Sequence, residues 1–333
     1  MNYIGSKYKL LSFLQKTICE TVIDDLKDKI FCDIFAGTGV VARIFKSKVK
    51  SVISNDIEFY SYILNKNYIE NHIEIANAQQ YINELEQLPI INNGFIYKHY
   101  CLGSGSGRQY FSDENGKKID TIRISIEKWK KQKKINNNLY YFLLASLLES
   151  ADKVANTASV YGAFLKHIKR TAQNKMSLKP AWFEINASKH KVFNENSNKL
   201  IKKIEGDILY LDPPYNTRQY GANYHLLNTI ALYDNFIPKG KTGLRNYYRS
   251  NYCSKNKVKE SFSELIKQAK FEYIFLSYNN EGLMSDKDIK NIMKKYGKYD
   301  LITTEHQRFK ADKEKNRTYK AIKTTEYLHI LRK

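Results

Sequence analysis

Along residues 1–90 the apolar positions fall into short runs alternating with helical spacing, the texture of an α/β fold. Residues 30–35 read as a strand entering a glycine turn, and residues 40–46 as the helix that follows. Residues 51–55 form a second strand, ended by Asp56. Residues 59–71 and 76–87 carry helical spacing, the second segment closing at Pro89. From residue 90 the texture changes. A Gly-Ser run at 103–107, a turn signal at 114–116 and a basic run at 128–134 break the pattern, with a strand-like alternation at 122–126 and a helix at 139–152.

After a loop-rich basic stretch the regular pattern resumes near Val192. Residues 208–211 are a fully apolar strand, 272–277 another, and 286–295 a helix. Strands at 301–305 and 325–331 flank a charged segment at 310–323. The simplest organisation is one α/β domain interrupted by an insert, with boundaries at 1–90, 91–190 and 191–333. No internal repeat appears.

Composition narrows the function classes. No run of apolar residues reaches the length of a membrane span, and residues 1–7 lack the apolar core of a signal peptide. Cys19, Cys32, Cys101 and Cys253 have no paired spacing, which speaks against a zinc site or disulfide framework and for a reducing cytoplasm. The formal charge of +21 suits a polyanionic partner, although a lysine-rich solvated surface would give the same number.

Two loops carry chemistry. The first is the stretch Asp33, Ile34, Phe35, Ala36, Gly37, Thr38, Gly39, where a strand feeds a glycine-rich turn and then a helix. Glycines there let the backbone approach a ligand, and Asp56, about twenty residues on at the end of the next strand, is placed to accept from ribose hydroxyls. By itself this fits a dinucleotide site, an S-adenosylmethionine site or an unliganded tight turn. The second loop is Asp212, Pro213, Pro214, Tyr215, at the carboxyl end of an apolar strand where ligands of open sheets gather. Two prolines remove N–H donors, so the loop offers hydrogen-bond acceptors and a stacking ring. An amino group about to be methylated needs both.

With these motifs the chain resembles the amino-methyltransferases of DNA, and Tyr3, Ile4, Gly5, Ser6, Lys7 resembles the segment that Dam-like adenine methylases carry before their glycine motif. The order is similar too: cofactor motifs, a long target-recognition insert, then the catalytic motif. The resemblance implies a Rossmann-like S-adenosylmethionine-dependent methyltransferase sheet with an inserted target-recognition region, acting on double-stranded DNA. It implies that Asp212 and the Pro213 carbonyl accept from the adenine amino group, with Pro214 keeping the loop rigid and Tyr215 stacking on a flipped base. Asp33, Phe35, Gly37 and Gly39 would line the methionine end of the cofactor, and Asp56 and Ile57 its ribose and adenine. Tyr3, Gly5 and Lys7 would lie near the cofactor or the target base. Asn196 stands where the family usually has an acid contacting the cofactor's adenine.

For DNA contacts the candidates are Arg218, Gln219 and Tyr220 beside the catalytic loop, Arg245 and Arg249 in a basic, tyrosine-rich stretch, and Arg108 and Arg123 in the insert. No metal site is expected. The alternatives are an enzyme acting on RNA adenine, a cytosine amino group or a protein glutamine, and a catalytically idle DNA-binding protein on the same scaffold. Pairing with a restriction endonuclease is a further expectation.

Overall fold

A computed structural model describes residues 4–307 and 323–333. The chain divides into two compact units. The sheet unit comprises Gly5–Ile57, Ser188–Gln219 and Tyr248–Lys333, and the helical unit is built mainly from Glu58–Ala187 and Tyr220–Tyr247.

The sheet unit holds seven strands: β1 (Ile30–Asp33), β2 (Ser51–Asn55), β3 (Lys191–Phe193), β4 (Glu205–Leu211), β5 (Lys270–Asn279), β6 (Lys298–Gln307) and β7 (Lys323–Arg332). Their order is β3-β2-β1-β4-β5-β7-β6. The first five run parallel, whereas β7 is antiparallel to both of its neighbours. This mixed α/β sheet is Rossmann-like, as expected. Continuous burial of Ile208–Leu211 and of Tyr273–Leu276 in β5 accounts for their uninterrupted apolar runs, since both faces are covered. On one face Leu209, Leu211, Ile274 and Leu276 pack with Leu265, Ile266 and Ile289 of the helices Val258–Gln268 and Asp286–Met293. On the other, Phe31 stacks on Phe45 of the helix Val40–Phe45 with centroids 4.3 Å apart.

Strand order reverses between β1 and β4, so the loops leaving these two strands diverge and open a crevice at their carboxyl ends. In register, Asp33 faces Tyr210, two residues before Asp212. The glycine turn and the Asp-Pro-Pro-Tyr loop therefore emerge side by side. Reversal of β7 places Glu326 opposite Asn279, at the same end of the sheet.

The helical unit has its own core, in which the helices Asp113–Lys131 and Asn137–Lys153 supply Ile119, Ile122, Ile126, Phe142, Leu143 and Leu147. The strand-like alternation at 122–126 is thus helical. Burial of Ile119, Ile122 and Ile126 follows a helical period, and Ser112 caps the helix by accepting from the Asn115 N–H. The turn signal at 114–116 also lies inside this helix, because Gly116 is needed for packing: a Cβ there would stand 2.0 Å from Cys101 Sγ. The helical unit takes Glu58–Ala187 together with Tyr220–Tyr247, so the compact units do not follow the chain in sequence order. The charged segment 310–323 lies almost wholly outside the described residues. No helix among the described residues is long and apolar enough to cross a membrane.

Candidate active site

The glycine turn follows β1. Gly37 (φ 52°) and Gly39 (φ 75°) both occupy the left-handed region, which L side chains avoid, so glycine is required at each. The Gly37 N–H donates to Asp56 Oδ2 at 2.8 Å, and the Ala36 N–H donates to the Asn55 carbonyl at 2.9 Å. Asn55 Nδ2 reaches the carbonyls of Ile34 and Glu195, at 3.0 and 3.1 Å, while Asn194 Nδ2 reaches those of Asp56 and Ile57, at 2.7 and 3.0 Å. Side-chain amides thereby tie the ends of β1, β2 and β3 together. Phe35 packs edge-on against Tyr252.

Asp33 is buried, and its Oδ1 has no hydrogen-bond partner among the described residues. Burial, with the charges of Asp212 and Asp56 nearby, pushes its carboxyl well above the usual carboxylate range, against the backbone N–H groups of Ala42 and Phe35.

The N-terminal segment supplies a cation. Gly5 turns the chain at φ 77°, Ser6 accepts from the Tyr8 N–H, and Lys7 opens a short 3₁₀ turn, Lys7–Leu10. Lys7 Nζ lies 3.3 Å from Asp212 Oδ1, 3.6 Å from Glu326 Oε2 and 5.7 Å from the centre of the Tyr215 ring. Its side chain is 5% exposed, so this cation is held by its carboxylates and not by water. Burial alone would lower the lysine pKa, but Asp212 and Glu326 together raise it well above the ordinary value. Asp212 is pushed up to about 6, chiefly by burial; Lys7 opposes the rise and Glu326 adds to it. Burial likewise raises the Tyr215 phenol, and the Tyr215 backbone carbonyl accepts from the Leu283 N–H at 3.0 Å. Glu326 was not anticipated from sequence. The available signal was a lone acid in the C-terminal strand, just before the run Tyr327–Leu331.

Other predicted site residues fall as follows. Tyr3 lies outside the described residues. Ile57 is half-buried beside the turn. The Asn196 oxygen accepts from the Lys199 N–H as a helix cap, and its Nδ2 donates to the Tyr248 hydroxyl at 2.7 Å. Arg218 and Arg249 are exposed. Gln219 exchanges hydrogen bonds with the Ser250 backbone, and the Tyr220 hydroxyl donates to the Ile4 carbonyl.

Three arginines are built into the helical unit. Arg123 is buried, donating to the carbonyls of Ile230 and Ala231 and pairing with Glu127, so it is a core brace and not a groove reader. The Arg108 guanidinium bonds the carbonyls of His99, Gly240 and Lys241. Arg245 is held by a bidentate pair with Asp234 at 2.9 Å. Each guanidinium meets oxygens of its own chain, which charge in the sequence cannot reveal. Among the described residues no cluster of His, Cys, Asp and Glu could hold a metal ion.

The reversed β7, the glycine turn after β1 and the Asp-Pro-Pro-Tyr loop after β4 define a Rossmann-like α/β methyltransferase. A family model described as D12 class N6 adenine-specific DNA methyltransferase matches residues 3–292. The chain belongs to that family, and its activity is site-specific methylation of adenine in DNA, with the dependence on S-adenosylmethionine that membership implies. It is 63% identical over 333 residues, all of this chain and 99% of the relative, to the Type II methyltransferase M.NlaIII of Neisseria lactamica. It is 42% identical over 309 residues, 89% of this chain, to the Type II methyltransferase M.FokI of Planomicrobium okeanokoites, of which it spans only 47%. It is 38% identical over 312 residues to the Type II methyltransferase M.CviAII of Paramecium bursaria Chlorella virus 1, covering 93% of each chain.

Proposed function

We propose that the Asp212–Tyr215 loop receives a flipped adenine and that the glycine turn beside it holds the methyl donor. The observation that carries this reading is the ion-paired cluster Lys7, Asp212, Glu326 at the strand-order reversal, with Asp33 buried next to it. Asp33, Phe35, Gly37, Gly39, Asp56 and Ile57 would hold S-adenosylmethionine. The donor set fits: a buried carboxyl oxygen without a partner among the described residues, a turn open to close backbone approach, and an acid at the end of β2. When bound, the cofactor supplies an electrophilic sulfonium methyl.

Asp212 and the Pro213 carbonyl accept from the two amino hydrogens, drawing lone-pair density onto the nitrogen. Tyr215 stacks on the base, and Pro214 withholds a competing donor. A carboxylate that titrates near 6 can also take the proton that the methylated nitrogen sheds. Positioning and electrostatics therefore account for the rate, with no covalent enzyme intermediate. The test is Asp212→Ala with labelled cofactor and duplex DNA. Loss of turnover with cofactor binding retained supports the assignment, and undiminished methylation of adenine overturns it.

We further propose that the enzyme is the modification half of a restriction system in the cytoplasm, paired with a restriction endonuclease. Relatives named as Type II methyltransferases and modification methylases support this. Plasmid DNA from cells expressing the enzyme should resist one nuclease in a panel; sensitivity to all would count against the pairing.

A further inference from the structure

Strand β5 ends at Tyr278 and Asn279, and the chain then folds back over its own last ring. The Gly282 N–H donates to the Asn279 carbonyl at 3.1 Å, and the Glu281 N–H to Asn279 Oδ1 at 3.1 Å, which closes a tight turn. Tyr278 is fully buried, and Gly282 lies so near that a Cβ there would stand 2.0 Å from the Tyr278 ring. The Met284 N–H donates to the Tyr278 hydroxyl at 3.3 Å, so one side chain anchors both ends of the returning segment.

This turn engages the Asp-Pro-Pro-Tyr loop at Tyr215 in two ways. Between Gly282 and Met284, the Leu283 N–H donates to the Tyr215 carbonyl at 3.0 Å. The Tyr278 ring meets the Tyr215 ring edge-on, with centroids 6.3 Å apart and planes at 79°. Tyr215 is itself only half-buried, whereas Tyr278 has no solvent exposure. A ring that stacks on an incoming base does best when its tilt is already set, because freedom lost on stacking weakens the complex. An edge-to-face neighbour favours one tilt, and Tyr278 is itself fixed by Gly282 and the Met284 N–H.

We propose that Tyr278 is a positioning residue for methyl transfer, acting through Tyr215 to hold the stacking ring at the tilt that the flipped adenine requires. The aromatic ring of Tyr278, not its hydroxyl, is the part that meets Tyr215. Gly282 is the residue that lets the turn close on that ring. The inference rests on the stacking role proposed for Tyr215.

The test uses duplex DNA with 2-aminopurine in place of the target adenine at a mapped site. Its emission rises when the base leaves the duplex and is quenched again when the base stacks on an aromatic ring. Emission of the bound duplex, and kcat on the unmodified duplex, are measured per cofactor-binding molecule of enzyme. Tyr278→Leu is expected to raise the emission above the parent's and to lower kcat about threefold to tenfold, with KM for DNA and Kd for S-adenosylmethionine unchanged. Tyr278→Phe, which keeps the ring, should restore both readouts. Gly282→Ala drives a Cβ into the Tyr278 ring and should repeat the changes of the leucine variant, so the test does not hang on the folding of one protein.

Parental emission in both Tyr278→Leu and Gly282→Ala overturns the proposal even where the thermal midpoint falls, because a residue confined to the core behaves that way. A phenylalanine variant as impaired as the leucine variant overturns it too. Tyr215→Ala run alongside separates the two readings. Parental emission and kcat in that variant overturn the stacking of Tyr215, and this inference with it. Raised emission there, with parental emission in Tyr278→Leu and Gly282→Ala, removes only the role of Tyr278.

Discussion

Buried Lys7 and half-buried Asp212 form an ion pair, 3.3 Å apart, that joins the N-terminal segment to the loop after β4. Glu326 Oε2 lies 3.6 Å from the same ammonium, so one cation serves two carboxylates. Burial pushes the Asp212 carboxyl up to about 6, with Lys7 opposing the rise and Glu326 adding to it.

The two partners should move the acid limb of the pH–rate profile in opposite directions. In the role proposed for it Asp212 acts ionised, so activity should fall as pH drops through about 6. Lys7 lowers that value and Glu326 raises it. Lys7→Met should therefore shift the limb upward, with a loss of about tenfold or more at neutral pH, and Glu326→Gln should shift it downward. The measurement is kcat against pH for the three proteins at saturating DNA and cofactor; shifts in the same direction would refute the arrangement.

Gly39→Ala places a Cβ on a residue at φ 75°. The strain is about 1–2 kcal/mol. Relieving it requires the turn to move, so cofactor affinity should fall at least as much as stability does. Isothermal titration with S-adenosylmethionine and urea unfolding give the two numbers.

Arg123→Met should destabilise the helical unit by about 2–4 kcal/mol, because the carbonyls of Ile230 and Ala231 lose their donors in a buried setting. DNA affinity per folded molecule should be unchanged. Denaturant unfolding and a filter-binding assay distinguish this brace from a DNA-reading arginine.

Methylation rate at low DNA concentration should fall at least tenfold between about 50 and about 200 mM salt, since a chain of charge +21 displaces counterions when it binds. A flat profile would make the basic surface incidental to DNA binding.

The strand ends were legible because local chemistry marks them. Apolar residues 208–211 stop at two prolines, and the φ values of Gly37 and Gly39 need glycine whatever the rest of the fold does. Residues that depend on register were not legible. Glu326 joins the site only because β7 runs antiparallel to β5, and no local pattern states that pairing. Arg108, Arg123 and Arg245 have the side chains expected of DNA readers, yet each meets carbonyl or carboxylate oxygens brought from distant or looped segments. Residues 122–126 alternate as a strand would, and only Ile119 extends the pattern to a helical period.

The place of β7 bears on when activity arises during synthesis. β6 is made before β7 but lies beyond it, at the edge of the sheet, so it has no neighbour until β7 slots in beside β5. Ribosomes add about 5–20 residues per second. Until β7 is made, the emerging chain carries Lys7 and Asp212 without Glu326, so the cluster of one cation and two carboxylates closes only after β7 has paired with β5.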